Sequence, residues 1–165
     1  MSDTTPSKDA IRREDFTKNL LYFLQETFES PPQPGSAFLD QKSGLFDTLA
    51  GVSAEQASRP AAEGGTTVAS QTDHLKFYVE LLERYLLKSP PAQKVDWRET
   101  WRRTQVSAQE WDALQANLRK TYERVRDQLC DTEQWGEDEI GNGMAILVHT
   151  AYHLGALRQI LRATR

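Results

Sequence analysis

The sequence predicts an all-α protein, a four-helix bundle with crossover connections. Three observations carry the prediction. Apolar residues recur at spacings of three and four in four long segments, the period of a helix with one buried side. No segment alternates polar and apolar residues as a half-buried strand does. The linkers between the long segments are rich in proline and glycine, and two-residue turns are absent, so connections that cross the bundle are expected. Four amphipathic helices have to bury their stripes on one another.

The first ten residues, Met1 to Ala10, are polar and lack the apolar stretch of a signal peptide. They are expected to form a disordered tail before a single domain spanning 11–165. The first helix is predicted from about Ile11 to Phe28, with Phe16, Leu20, Phe23, Leu24 and Phe28 on one side. Ser30-Pro31-Pro32-Gln33-Pro34-Gly35 ends it, because proline lacks an amide donor and clashes with the preceding turn. A shorter helix is expected over Ala37 to Ala50, carrying Phe38, Leu45, Phe46 and Leu49, with Gly51 as its stop. Arg59 to Gly65 is loop. Thr66 or Thr67 then caps the second long helix by accepting a hydrogen bond from an unpaired amide. That helix runs to about Leu87, with Val68, Leu75, Tyr78, Val79, Leu82 and Leu86 as its apolar stripe.

Ser89-Pro90-Pro91 closes the second helix, and the stretch holding Trp97 and Trp101 has no clear period. Ser107-Ala108-Gln109-Glu110 is a capping box, in which serine and glutamate each satisfy a backbone amide of the other. Behind it, Trp111, Leu114, Leu118, Tyr122, Val125 and Leu129 make the clearest helical stripe in the chain. The fourth long helix is expected from near Asn142 to about Ala163, after a turn at Gly141-Asn142-Gly143.

Composition narrows the function. A net charge of −4, with basic and acidic residues interleaved, gives no footprint for nucleic acid. No apolar run approaches the ~18 residues of a membrane span. The single cysteine, Cys130, can form no intrachain disulfide, which suits a reducing cytoplasm. It lies among Gln128, Asp131 and Glu133, whose acidic members raise a thiol's pKa, so it reads as structural.

The chemistry lies in the histidines. There are three, and none falls on a predicted polar face. His149 and His153 are one turn apart on one face of the last helix. His74 lies on the flank of the second long helix's stripe, on the side of Thr67, Tyr78, Leu81 and Tyr85. Imidazole ligates zinc, nickel, iron or copper, and helical bundles build metal sites from facing helices. The competing reading is three packed, hydrogen-bonded core histidines. The pair does not form the HExxH motif of metalloproteases, since Thr150 stands at the glutamate position. Asp73, beside His74, points elsewhere on its helix. Tyr78 and Tyr85 are candidates to line a pocket, and no residue stands out as a general base.

Three stretches together resemble a known family. Leu45-Phe46-Asp47-Thr48-Leu49-Ala50-Gly51-Val52-Ser53-Ala54-Glu55-Gln56 is similar to the helix end and "L-x-x-L-s-x-E-q" loop of the DinB/YfiT-like metalloenzymes. Arg59-Pro60, then Thr66-Thr67-Val68-Ala69 and His74-Leu75, resembles that family's entry into its second helix. His149-Thr150-Ala151-Tyr152-His153-Leu154-Gly155-Ala156-Leu157 resembles its "H-x-x-x-H-x-G-q-L/I" last helix. The resemblance implies a four-helix bundle holding a divalent metal (zinc, nickel or manganese) on His74, His149 and His153 near one end, and often a homodimer. It further implies a small-molecule substrate, acted on by thiol-dependent transfer or isomerisation with a low-molecular-weight thiol, or by metal-dependent hydrolysis. Two departures stand out: the insert at Pro31–Pro34, which interrupts the usual long first helix, and Ala156 where glutamine is common. Beside the metalloenzyme stand a metal or small-molecule binding protein without turnover, and a metal-free helical interaction domain.

Overall fold

The computed structural model describes residues 11–31 and 35–164. The expected tail over Met1–Ala10 and the centre of the proline insert, Pro32–Pro34, lie outside the described residues. The described chain is all helical: α1 (Arg13–Glu29), α2 (Leu45–Leu49), α3 (Ala54–Ala57), α4 (Val68–Leu86), a 3₁₀ turn (Glu99–Trp101), α5 (Ala108–Cys130) and α6 (Glu137–Ala163). No strand occurs among the described residues.

Helix starts follow the expected caps. Thr67 Oγ1 accepts the Ser70 amide at 3.1 Å, and Ser70 Oγ returns the bond to the Thr67 amide at 3.0 Å. Ser107 and Glu110 form the predicted box, with Glu110 accepting the Ser107 amide at 2.8 Å. The four long helices, α1, α4, α5 and α6, bury one shared core that includes Leu24, Phe28, Leu75, Leu118, Tyr122, Leu129, Ile146 and Leu157. Tyr122 of α5 stacks on Phe28 of α1 at 4.3 Å between ring centroids.

The long helices touch in ring order α1–α5–α4–α6. Paired side chains give their directions. Arg13 reaches the Glu133 carbonyl while Glu29 meets Arg126, so α1 and α5 are antiparallel. Thr121 meets Glu80 and Arg124 meets Glu83, so α4 and α5 run parallel. His74 faces His153 while Lys88 meets Glu139, so α4 and α6 are antiparallel. A parallel pair cannot be joined by a tight turn. The chain from Leu87 to Ser107 therefore returns along the length of α4, about 28 Å for its 19 residues. This crossover carries the 3₁₀ turn and two tryptophans past the α4–α6 seam.

Two expectations are corrected. The helix predicted over Ala37 to Ala50 is helical only at Leu45–Leu49. The fully buried Glu26 carboxylate accepts the amides of Ala37, Phe38 and Leu39 at 2.8, 2.7 and 2.6 Å, which commits them to a side chain instead of a helical ladder. Ser30 closes the junction in a left-handed conformation, φ +85°, and its hydroxyl accepts the Gly44 amide at 2.7 Å. A Cβ on Gly44 would collide with the Ser30 backbone. The second correction concerns α6, which starts at Glu137 and not near Asn142. Gly141-Asn142-Gly143 is inside the helix. Glu139 caps the Gly136 amide at 3.0 Å, and three acidic residues in the first turn suit its positive end. Gly143 is set against Leu20 of α1, so close that a Cβ would lie 2.8 Å from Leu20 Cδ2. The glycine serves helix contact, not a turn.

Candidate metal centre

His74 lies two turns into α4, behind the Thr67 cap. His149 and His153 are one turn apart in α6. The antiparallel α4–α6 contact brings the three together. One candidate donor nitrogen from each lies within 4.8 Å of the others. Ring centroids are 4.3 Å apart for His149–His153, 4.9 Å for His74–His153 and 5.3 Å for His74–His149.

Neighbours fix which nitrogen of two rings is free. The Thr100 hydroxyl donates to the Trp97 carbonyl at 2.7 Å, so towards His74 it accepts, and His74 Nδ1–H donates to it at 2.8 Å. Gln71 donates its amide N–H to Thr66 Oγ1 at 3.1 Å, which turns its Oε1 towards His153 Nδ1–H at 2.6 Å. Both rings therefore carry the Nδ1–H tautomer, inferred from these networks, and both leave Nε2 with its lone pair. This is the arrangement by which an outer partner orients a metal-ligating histidine. His149 differs. Its Nε2 is buried and has no hydrogen-bond partner.

Aromatic rings wall the cluster. Trp101 stacks on His74 at 4.0 Å and 17°, and Tyr78 stacks on His149 at 3.6 Å and 17°. Trp97 stands 6.2 Å from His74, and Tyr152 meets His153 edge-on at 5.0 Å. Burial lowers the pKa of all three imidazoles. Adjacent imidazoles lower two of them further, His149 to about 4 and His153 to about 3. At neutral pH the rings are uncharged, the state in which imidazole binds a cation. A buried His149 Nε2 without a partner, beside two imidazoles whose Nε2 lone pairs are free, is costly unless something pairs it. A metal cation fits that need, and the three residues are placed so that they could hold one.

The other singled-out residues fall as follows. Tyr78 is at the site, stacked on His149, but Tyr85 is exposed and lines a cavity with Pro91 and Trp97 that none of the three histidines lines. Asp73 pairs with Arg103 at 3.3 Å, outside the cluster. Cys130 is exposed at the end of α5, not packed as a structural thiol. Gln71, Thr100, Trp97 and Trp101 were not foreseen as site residues. Gln71 had a legible signal, since it stands three residues before His74 on the same face. Thr100 had none, because a 3₁₀ turn inside a crossover leaves no periodic trace.

A protein-family model described as the DinB superfamily matches residues 38–157. No curated protein and no solved structure matches the chain.

Proposed function

This chain belongs to the DinB superfamily, and on that premise we propose that it is a metal-dependent enzyme, a thiol S-transferase or hydrolase acting on a small molecule. His74, His149 and His153 are its proposed ligands for a divalent ion, zinc, nickel or manganese. The observation that carries the reading is the buried, unpartnered His149 Nε2 beside two imidazoles whose Nδ1–H groups are tied outward. When bound, such an ion supplies a Lewis acid that polarises a carbonyl or lowers the pKa of a coordinated water or thiol. Thr100 and Gln71 hold the His74 and His153 rings at fixed angles. Trp101 and Tyr78 cover one face each of His74 and His149 and exclude water there. With three protein ligands, at least one coordination position is left for water, thiol or substrate.

A homodimer and a cytoplasmic location belong to the same reading. From Ile140 to Leu157 the α6 sequence has no charged residue, and Met144 and Val148 are exposed one turn apart on its outer side. The exposed thiol of Cys130 suits a reducing compartment. Among the described residues no helix is long and apolar enough to cross a membrane.

Elemental analysis of protein purified without an affinity tag tests the reading. About one equivalent of a transition metal per chain is expected, and His153→Ala should lose it while keeping its helical circular dichroism. A full-length, folded protein that takes up no zinc, nickel or manganese on titration would overturn the proposal. Turnover of electrophiles only with an added low-molecular-weight thiol would mark the transferase, and turnover without it the hydrolase.

A further inference from the structure

The surroundings of the histidine cluster are aromatic. Most charged side chains near it are paired with a neighbour: Asp96 with Arg98, Glu99 with Arg102, Asp73 with Arg103 and Lys76 with Glu80, while Lys94 beside Trp97 has no ion pair among the described residues. Among the described residues no carboxylate joins the three imidazoles. A divalent ion held by three neutral rings keeps its full charge, so the partner that completes it is best an anion.

The four aromatic rings divide into two kinds. Trp101 and Tyr78 lie flat on imidazoles, which occupies one face of each. Trp97 and Tyr152 make no stacked contact. Trp97 meets Phe77 edge-on at 6.0 Å and Tyr78 at a tilt at 6.1 Å, while Tyr152 meets His153 at 87°. Both are open to solvent, Trp97 at 43% and Tyr152 at 72%. Two large rings held beside a polar cluster with their faces unused suit a flat partner, because offset stacking adds to the burial of apolar area.

Resting on the metal reading above, we propose that the site selects ligands in which one anionic donor is carried on a flat aromatic ring, the donor turned to the imidazoles and the ring held against Trp97 or Tyr152. Specificity then comes from stacking and not from an ion pair. A branched aliphatic body would find no matching face.

Two probes with the same donor group separate the ring from the metal: acetohydroxamate and benzohydroxamate. Each is titrated into cobalt-loaded full-length protein, followed by the cobalt absorption spectrum and by tryptophan fluorescence. Benzohydroxamate is expected to bind at least about ten-fold more tightly than acetohydroxamate. That ratio should fall towards one in Trp97→Ala or in Tyr152→Ala. Tyr152 is so exposed that its variant tests the ring even if the Trp97 variant disturbs the crossover. Equal affinities in the unaltered protein, or a ratio that survives in both variants, would overturn the proposal and leave the metal reading standing. If neither probe changes the cobalt spectrum, the open metal position fails, and this inference with it.

Discussion

Single side chains set the character of the histidine cluster. Thr100 has its hydroxyl proton committed to the Trp97 carbonyl, so it is a fixed acceptor for His74. Replacing it with valine keeps the shape and removes the acceptor. The His74 ring then loses the contact that selects its tautomer and angle. Thr100→Val is expected to weaken metal binding by about 10- to 100-fold, the usual cost of losing a ligand's outer partner. Competition against a chromophoric chelator measures this, with unchanged helical dichroism as the control. The histidines themselves were legible because a polar ring on an apolar face is conspicuous against its period. Their geometry was less so. Sequence can put His149 and His153 one turn apart, but nothing in it says that Gln71 and Thr100 hold two of the rings from behind.

At the scale of elements, the long helices were legible and the segment between α1 and α2 was not. Val68–Leu86 and Ala108–Cys130 start at their predicted caps because capping is local chemistry. The expected helix over Ala37 to Ala50 rested on Phe38, Leu45, Phe46 and Leu49, yet the amides of Ala37, Phe38 and Leu39 serve Glu26, eleven to thirteen residues away. Long-range competition of this kind leaves no periodic signal. It also has a pH signature. Burial would raise the Glu26 pKa, but the three amide donors outweigh burial and hold it below its ordinary value of 4.5. A carboxyl lowered in the folded state stabilises the protein fully above about pH 4.5, and that stabilisation is lost as pH falls through the folded value. Glu26→Gln is therefore expected to cost about 1–3 kcal/mol at neutral pH. Its difference from the parent should shrink on acidification below about pH 4.5. Urea unfolding of metal-free protein across that range checks both parts.

For the whole molecule, the all-α class was legible because every long apolar period is helical. The path of the chain was not. That α4 and α5 run parallel follows from pairs such as Glu83–Arg124, in which two surface helices choose their register. The proposed homodimer belongs to this scale. A charged residue at the outer face of α6 would stay solvated in a monomer but would be buried in a dimer. Val148→Glu is expected to shift sedimentation equilibrium from dimer to monomer without loss of helix or of bound metal. An unaltered protein that sediments as a monomer at high concentration would end that part of the reading.

The crossover has a consequence for the order of events. It supplies Trp97, Thr100 and Trp101, yet it contains only a three-residue helical turn and stands outside the packed core of α1, α4, α5 and α6. Lifting its centre breaks the hydrogen bond to His74, the Arg103–Asp73 ion pair and the ring contacts of Trp97 and Trp101, and leaves the helical core intact. Exposure of the histidine cluster is thus a local opening with its own, smaller free energy, separate from global unfolding. A molecule entering the site need not wait for the protein to loosen. A strap of chain that moves on its own would tune access to the cluster while the helices stay packed.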